Sequence, residues 1–270
     1  MISIRDTSFS YFGNDSDRWA LRDIDLDIAP DEFVAFLGPN GSGKSSLTRL
    51  LNGIEQPTKG SITVDGLSTS DPASLAAIRR SVQIVFQNPE NQQVGVSVGE
   101  DIAFGLSNIG WPQSEMQSRI RWALDVVKLD AGEDRLVTQL SGGEKQKLAL
   151  ASVLALAPRY LILDESTSML DPIARKEFVE TLRAAREAHP FAMIYITHHL
   201  EEVLEADRLV LFQEGRVRRI GKPEELLQDE KLLVSCGLEL PFERSITLAL
   251  RRAGFPVSLS ADLQELRGWL

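Results

Sequence analysis

The residue types best suited to chemistry form one run, Gly38-Pro39-Asn40-Gly41-Ser42-Gly43-Lys44-Ser45, which Ser46 follows. The run fits the phosphate-loop pattern G-x-x-x-x-G-K-[ST] at every position. Its glycines let the backbone turn sharply and aim N–H groups at phosphate oxygens. Lys44 would bring a positive charge to the β- and γ-phosphates, and Ser45 would offer its hydroxyl to Mg²⁺. The run predicts a loop that binds a nucleoside triphosphate; the alternative is a glycine-rich turn that merely joins two elements.

The elements around this loop suit the first interpretation. Phe33-Val34-Ala35-Phe36-Leu37 is an unbroken apolar run, as expected of a strand buried on both faces of a parallel sheet. A helix is predicted from about Ser45 to Ile54, and the partial positive charge of its N-terminal end would point at the phosphates. The motif therefore lies in the order of strand, loop and helix that it requires.

A second apolar run ends in two carboxylates. Tyr160 to Leu163 predicts a strand, and Asp164 and Glu165 follow at its C-terminal end, where open parallel sheets place their ligands. Asp164 would help to hold Mg²⁺, and Glu165 has the chemistry to polarise the water that attacks the γ-phosphate. An acidic pair is common at the start of a loop, and it becomes informative because a phosphate loop is also present.

Two more polar residues follow predicted strands. Gln87 comes after the strand Val82 to Phe86, and His198 comes after the strand Phe191 to Ile196. If these strands run parallel to the others, their polar ends meet at one edge of the sheet. Gln87 would then serve Mg²⁺ and catalysis, and His198 catalysis; the alternatives are a solvated turn residue and a helix-cap residue. His198 is preferred to His199 because it lies nearer the end of the strand.

The segment Leu140-Ser141-Gly142-Gly143-Glu144 precedes an apolar helix. Ser141 and Glu144 satisfy a capping box, so a well-capped helix start is one interpretation. Two consecutive glycines weaken a helix start, however, and are tolerated where a backbone must approach a ligand closely. Exposed N–H groups at this point would form a second anion site.

Composition narrows the class of protein. The chain has 270 residues and a formal net charge of −10, and because nucleic-acid-binding proteins usually carry a basic surface, we expect no nucleic-acid partner. The longest apolar run, Leu148 to Ala157, is about half of the roughly 20 residues that span a bilayer. The first residues show no export leader, so we expect a cytoplasmic chain. The single cysteine, Cys236, excludes an internal disulfide.

The pattern along the chain predicts an α/β fold with a mixed sheet. Ile24, Leu26 and Ile28 alternate with aspartates, which indicates an N-terminal antiparallel β-subdomain. From Glu32 onward, apolar strands alternate with helices, as in a parallel sheet. Residues from about 88 to 150 predict an inserted α-helical subdomain, which includes a helix over Gln113–Val127 with a capping-box-like Ser114-x-x-Gln117. Residues 226–270 predict a C-terminal helical extension.

Together these motifs resemble the ABC ATPase cassette over roughly residues 1–225. The matching segments, in order, are Gly38–Ser45, Gln87, Leu140–Gly143, Asp164-Glu165, Ser168–Asp171 and His198. The resemblance implies a P-loop NTPase fold of the RecA-like type, with ATP and Mg²⁺ as ligands and ATP hydrolysis as the activity. It also implies a dimer, in which Ser141, Gly142 and Gly143 of one chain close over the nucleotide held by its partner.

The same resemblance assigns two further residues and shows two departures. Tyr11 would stack on adenine, and a core tyrosine is an equal alternative. Asp171 would link the two sites of the dimer, and it would also suit the N-cap of a helix that begins at Pro172. Glu144 stands where the family usually has glutamine, and Met169 replaces the commoner alanine. Neither change removes a catalytic group, but both leave open how fast the composite site turns over.

Fewer residues indicate the subfamily. The segments Phe86–Gln92 and Glu100–Leu106 resemble those of the ATPases of energy-coupling factor (ECF) importers, which take up vitamins or metal ions. Leu240-Pro241-Phe242 resembles the start of the tail in the first of the two ATPase types of such complexes. The alternatives are an ordinary polar loop and a folded-back extension of the core.

The ECF resemblance implies several partners. A transmembrane coupling subunit would dock its helices in a groove after Gln87, and a separate membrane subunit would bind the cargo. The tail would form a dimerisation surface against a second ATPase, either identical or different. The chain would then be peripheral at the cytoplasmic face of the cell membrane.

A soluble ABC ATPase of an assembly complex, of the iron–sulfur type, is the competing function. A chromosome-maintenance ATPase would need a long coiled coil inside the cassette, and the insertion here is too short for one. A phosphate-loop kinase would leave Leu140–Gly143 and His198 without a role.

Overall fold

Two β-sheets organise the chain, for which the computed structural model describes residues 1–13, 18–238, 242–257 and 263–269. The strands, in chain order, are β1 (Ile2–Phe9), β2 (Leu21–Ile28), β3 (Phe33–Leu37), β4 (Lys59–Val64), β5 (Leu67–Ser68), β6 (Val82–Val85), β7 (Tyr160–Asp164), β8 (Ala192–Ile196), β9 (Arg208–Gln213) and β10 (Arg216–Gly221). One sheet has the order β2-β1-β4-β5 and is antiparallel, and the other has the order β10-β9-β3-β8-β7-β6.

The larger sheet is parallel except at its β9–β10 hairpin. Its four predicted strands, β3, β6, β7 and β8, all form, and they begin and end within one residue of the predicted bounds. Their C-terminal ends meet at one edge, because strands that run in the same direction must end on the same side. The N-terminal antiparallel sheet is also present, and the pairing of β1 with β2 shifts its register between Ile4 and Thr7 and again before Phe9, as at a β-bulge.

The helices cover both faces of the parallel sheet. They are α1 (Lys44–Leu51), α2 (Leu75–Ser81), α3 (Val98–Asn108), α4 (Gln113–Val126), α5 (Gly142–Ala155), α6 (Pro172–Ala188), α7 (Pro223–Leu226), α8 (Glu230–Ser235), α9 (Phe242–Arg252) and α10 (Leu263–Arg267). Short 3₁₀ turns lie at Pro89–Asn91, Val137–Gln139 and Leu200–Val203. Within the described ranges, no helix combines the length and the apolarity that crossing a bilayer requires.

The strand before the phosphate loop is buried on both of its faces. Phe33, Ala35 and Leu37 belong to one hydrophobic core, which contains the helices of the insertion and α6. Val34 and Phe36 belong to another core, which contains α1 and the antiparallel sheet. This double burial explains why the strand reads as a continuous apolar run rather than an alternating one.

The capping box predicted for α4 is wrong. The helix begins after Pro112, and no side chain caps its N-terminus. A capping box would need Ser114 at the N-cap position. The helix begins at Gln113, as predicted, with Pro112 at the N-cap, so Ser114 already lies inside the first turn. The side chain of Gln117 donates to Glu133 instead of reaching back to the helix start.

The C-terminal residues divide into two parts. Leu226, Leu233, Cys236 and Leu238 are buried in the same core as the parallel sheet. Further on, Val257 and Leu266 form a small separate cluster, against which residues of α9 pack. The motif residues Leu240 and Pro241 lie outside the described residues, as does Leu270. The boundary at residue 225 stays a prediction.

Gly38 joins β3 to the phosphate loop where there is no room for a side chain. Its φ is +145°, and a Cβ built on it would lie 2.2 Å from the carbonyl oxygen of Phe212 in β9. A real Cβ cannot approach a backbone oxygen so closely, so the loop and β9 would have to separate.

We expect Gly38→Ala to lower the free energy of unfolding by about 2 kcal/mol or more, because the clash adds to the backbone strain. Gly66→Ala is the matched control: Gly66 also has a positive φ, +83°, but no atom lies within 4 Å of its built Cβ, so its loss should be about 1 kcal/mol. Urea unfolding of both variants measures the difference, and equal losses would contradict the close approach.

Candidate functional site

A cleft of about 500 Å³ lies at the C-terminal edge of the parallel sheet, over the start of α1. It is lined by Tyr11, Ala20, Asn40, Gly41, Ser42, Gly43, Lys44, Ser45, Ser46, Gln87, Asp164 and Glu165. The structure thus brings together residues from the phosphate loop, β7, the loop after β6 and the end of β1. Ala20 is the one lining residue that the sequence did not indicate, since a small apolar side chain carries no chemical signal.

Lys44 is buried at the centre of the loop. Its ammonium donates to the carbonyl oxygens of Gly38 at 2.7 Å and Pro39 at 3.0 Å. Burial lowers the pKa of Lys44, and the nearby carboxylates of Glu165 and Asp164 oppose this effect. The cation therefore has neutral acceptors around it in a partly dehydrated setting, where an anionic ligand would stabilise its charge.

Ser45 and Asp164 form the next pair. The Ser45 hydroxyl donates to Oδ1 of Asp164 at 2.9 Å. Burial raises the pKa of Asp164, and the negative charge of Glu165 adds to this, although the Ser45 hydrogen bond acts in the opposite direction. A hydroxyl and a carboxylate side by side are hard oxygen donors of the kind that Mg²⁺ prefers, so this pair fits the predicted ion.

Glu165 lies beside His198. Oε1 of Glu165 is 2.8 Å from Nε2 of His198, and both side chains are less than half exposed. Glu165 has a left-handed backbone, with φ of +52°, and its N–H donates to Ile196 in β8. His199 faces away from this pair, with its Nδ1 3.7 Å from Glu201. Of the two histidines, His198 is thus the one that contacts Glu165, and its catalytic role stays a prediction.

Gln87 and Tyr11 lie at the rim of the cleft. The Gln87 amide donates to the hydroxyl of Ser168 at 3.2 Å, across two separate loops. Tyr11 is 51% exposed, and its hydroxyl is 3.1 Å from that of Ser46. Tyr11 is therefore not a core residue, and its ring is open to contact with a ligand.

Ser141, Gly142 and Gly143 do not line this cleft. They begin α5, and Ser141 and Gly142 are exposed. The predicted capping box is present: the N–H of Glu144 donates to Oγ of Ser141 at 3.3 Å, and the N–H of Ser141 donates to Oε2 of Glu144 at 2.8 Å. Within one chain, the phosphate loop and this helix start are separate surfaces.

The negative charge of Glu144 has a partner that the sequence interpretation missed. Arg135 donates to both carboxylate oxygens of Glu144, at 2.7 Å and 3.4 Å, and to the carbonyl of Gln139 at 3.0 Å. The hydrogen bonds from Ser141 lower the pKa of Glu144, and Arg135 lowers it further. The sequence feature that could have indicated this partner is Arg135 itself, a basic residue that follows the acidic Glu133 and Asp134.

Residues 21–168 match the model of the ABC transporter family. The chain belongs to the ABC transporter family. This confirms the resemblance and the P-loop NTPase fold that the sequence indicated, and it makes the chain an ABC ATPase that binds ATP.

Relatives of this ABC ATPase extend over almost its whole length. The energy-coupling factor transporter ATP-binding protein EcfA of Syntrophomonas wolfei subsp. wolfei is 43% identical, and the alignment covers 98% of this chain and 96% of EcfA. The structure of cbiO1 from Clostridium perfringens, part of the ABC transporter complex cbiONQ, has a TM-score of 0.77 at 32% identity, with 94% and 96% of the two chains covered.

A dimeric structure provides a third comparison. The ATP-binding cassette MJ0796, in a post-hydrolysis state with ADP and Pi, has a TM-score of 0.74 at 26% identity, with 83% of this chain and 99% of MJ0796 covered. The cassette fold of this ABC ATPase is therefore shared with a nucleotide-bound dimer.

The Arg135–Glu144 pair should show its charge dependence in a double-mutant cycle of Arg135→Ala and Glu144→Gln. Because the folded-state pKa of Glu144 is lowered, the coupling should be present near neutral pH and be lost as the pH falls through that pKa. For a partly exposed pair we expect about 0.5–1 kcal/mol near neutral pH. Urea unfolding at neutral pH and at a pH of about 4 or below measures it, and a coupling unchanged by acid would contradict the ion pair.

Proposed function

We propose that this chain is the ATP-hydrolysing subunit of an ECF-type importer, in which ATP binding and hydrolysis drive membrane uptake of a vitamin or a metal ion. The observation that carries the proposal is the cleft itself, which is lined by the buried Lys44, by the Ser45–Asp164 pair and by Glu165. His198 does not line the cleft but contacts Glu165 at 2.8 Å. The EcfA and cbiO1 relatives support the importer assignment, and their similarity over nearly the full length does not favour a soluble assembly ATPase.

The loop residues bind the triphosphate in this proposal. Backbone N–H groups of residues 38–46 surround the phosphates, Lys44 exchanges its carbonyl partners for β- and γ-phosphate oxygens, and the half-exposed ring of Tyr11 stacks on adenine. Ser45, Asp164 and Gln87 would hold Mg²⁺, and the ion would supply positive charge to offset that of the phosphates.

Glu165 and His198 act on the attacking water. The Glu165 carboxylate accepts a hydrogen bond from the water and orients it toward the γ-phosphate, as a general base or a positioning group. His198, at 2.8 Å, fixes the orientation of that carboxylate. The left-handed backbone of Glu165, tied to Ile196, turns its side chain toward the cleft.

A second ATPase, identical or different, completes each site. Ser141, Gly142 and Gly143 lie outside the cleft of their own chain. The N–H of Ser141 is used by Glu144, but N–H groups in the first turn of a helix have no intrahelical acceptor, so those of Gly142 and Gly143 are available to the nucleotide of a neighbour. The MJ0796 dimer supports this arrangement. ATP binds the closed pair better than the open pair, and hydrolysis reverses the preference, which is what a conformational cycle needs.

The transmembrane coupling subunit docks after Gln87. Val94, Val96 and Phe104 expose apolar side chains there, and the Asp101 carboxylate holds the segment by accepting the N–H groups of Val94 and Gly95, at 2.7 Å and 3.0 Å. The chain is then peripheral at the cytoplasmic face of the membrane. Residues 226–270 serve the contact with the second ATPase.

Co-purification with a hydrophobic membrane subunit tests the assignment to an importer, whereas a strictly soluble complex would support the assembly ATPase.

Glu165→Gln should keep ATP binding and lower kcat by about 10²-fold or more, because the amide cannot accept the proton. Steady-state phosphate release and equilibrium nucleotide binding measure the two effects. Glu224→Gln, an exposed change on α7, is the control. Full turnover by Glu165→Gln would rule out the assigned role.

Lys44→Ala should weaken ATP binding at least tenfold, since it removes a cation buried against the loop carbonyls. Binding of a fluorescent ATP analogue, followed by titration, gives the affinity. Lys222→Ala removes an exposed lysine outside both the cleft and the C-terminal extension, and it should leave the affinity unchanged. Equal affinities for the two variants would mean that the triphosphate does not bind in this loop.

A further inference from the structure

A buried carboxylate lies behind the Glu165–His198 pair. Glu202, in the 3₁₀ turn Leu200–Val203, is only 5% exposed. One of its oxygens accepts from the hydroxyl of Thr167 at 2.8 Å, and the other accepts from the hydroxyl of Thr197 at 2.6 Å. Nε of Arg175 lies 3.6 Å from Oε1 of Glu202 and supplies a compensating charge. Burying a carboxylate is costly, and these three groups offset the cost.

The two threonines belong to the two loops that carry the reacting pair. Thr167 is two residues after Glu165, and Thr197 directly precedes His198. The Thr197 hydroxyl also accepts from the N–H of His199 at 3.0 Å, so it fixes the backbone on both sides of His198. One carboxylate thus connects the ends of both loops, although it touches neither reacting side chain.

We infer that Glu202 is a positioning residue for ATP hydrolysis, which holds the Thr167 and Thr197 loops together so that Glu165 and His198 meet at hydrogen-bonding distance. The inference rests on the role proposed above for Glu165. Glu202 does not line the nucleotide cleft, so its effect reaches the water-activating step and not the binding of ATP. A small misplacement of a general base is expensive, because its geometry must be correct in the transition state.

The contacts argue against a purely local role for Glu202. A carboxylate that only stabilised its own turn would accept from N–H groups of that turn, as Asp229 does at the start of α8. Glu202 instead uses both oxygens on side chains from two other segments, 35 and 5 residues away. It is these segments that must keep a fixed separation for the Glu165–His198 contact of 2.8 Å.

The test compares Glu202→Gln with Glu201→Gln, its exposed neighbour. Glu202→Gln has the same size but cannot accept both threonine hydroxyls and the arginine charge. We expect kcat to fall at least tenfold, with KM and ATP affinity within about twofold of the original, and Glu201→Gln to behave like the unaltered chain. An unchanged kcat, or a loss that appears only in KM, would overturn the inference.

A second readout separates positioning from general loss of stability. In the Glu165→Gln background, Glu202→Gln should cause no further fall in single-turnover rate, because residues that act as a unit are not additive. Independent, multiplying losses would overturn the inference.

If Glu202→Gln does not fold, Thr167→Val and Thr197→Val replace it, since each removes one of the two hydrogen bonds and keeps the side-chain size. Each should lower kcat with KM unchanged, and retention of the original kcat by both would overturn the inference.

The same variants show whether a negative result contradicts the proposed role of Glu165 or only the inference on Glu202. Turnover at the original rate by Glu165→Gln would remove the proposed role of Glu165, and the inference on Glu202 with it. A slow Glu165→Gln together with a fully active Glu202→Gln would leave the proposed function intact and overturn only the inference.

Discussion

The common direction of four buried strands is the constraint on which the site depends. Because β3, β6, β7 and β8 run parallel, the residues that follow each strand arrive at the same edge of the sheet. The phosphate loop, Gln87, Asp164 and His198 are far apart in sequence and become neighbours for this reason alone. The two hydrophobic cores hold the strands from both faces, so apolar packing brings the polar residues to this edge, and their own hydrogen bonds then orient them.

The electrostatics of the cleft favour a charged ligand. Burial lowers the pKa of Lys44 and raises that of Asp164, so dehydration disfavours the charged form of each group. The charge of each group raises the stability of the charged form of the other, but for both groups burial is the larger effect on the pKa. A triphosphate would provide anionic oxygens for Lys44, and a divalent cation would provide a positive charge for Asp164. The fold therefore carries a desolvation cost that ligand binding would offset.

Sequence analysis predicted the features whose residues are consecutive in the chain. The strand Phe33–Leu37 and the loop after it are one continuous signal, and the structure reproduces both. Ser114 shows the opposite case: the helix begins at Gln113 as predicted, but the Ser114-x-x-Gln117 match lies inside its first turn and forms no capping box. Arg135 and Glu202 were missed because their roles depend on partners brought near only by the tertiary fold. The sequence shows an arginine or a glutamate, but not the partner that the tertiary fold brings to it.

Because the phosphate loop and the Ser141 helix start are separate surfaces, a mutation in one of them on one protomer would affect only one of the two ATP sites of a dimer. When two chains exchange these surfaces, each ATP site takes its loop from one chain and its cap from the other. Suppose that one protomer is defective in the phosphate loop and the other in the Ser141 helix start. Both defects then fall in the same ATP site, and the second site keeps two intact surfaces. In the proposed dimer, if its two chains are identical, two inactive alleles would therefore complement each other.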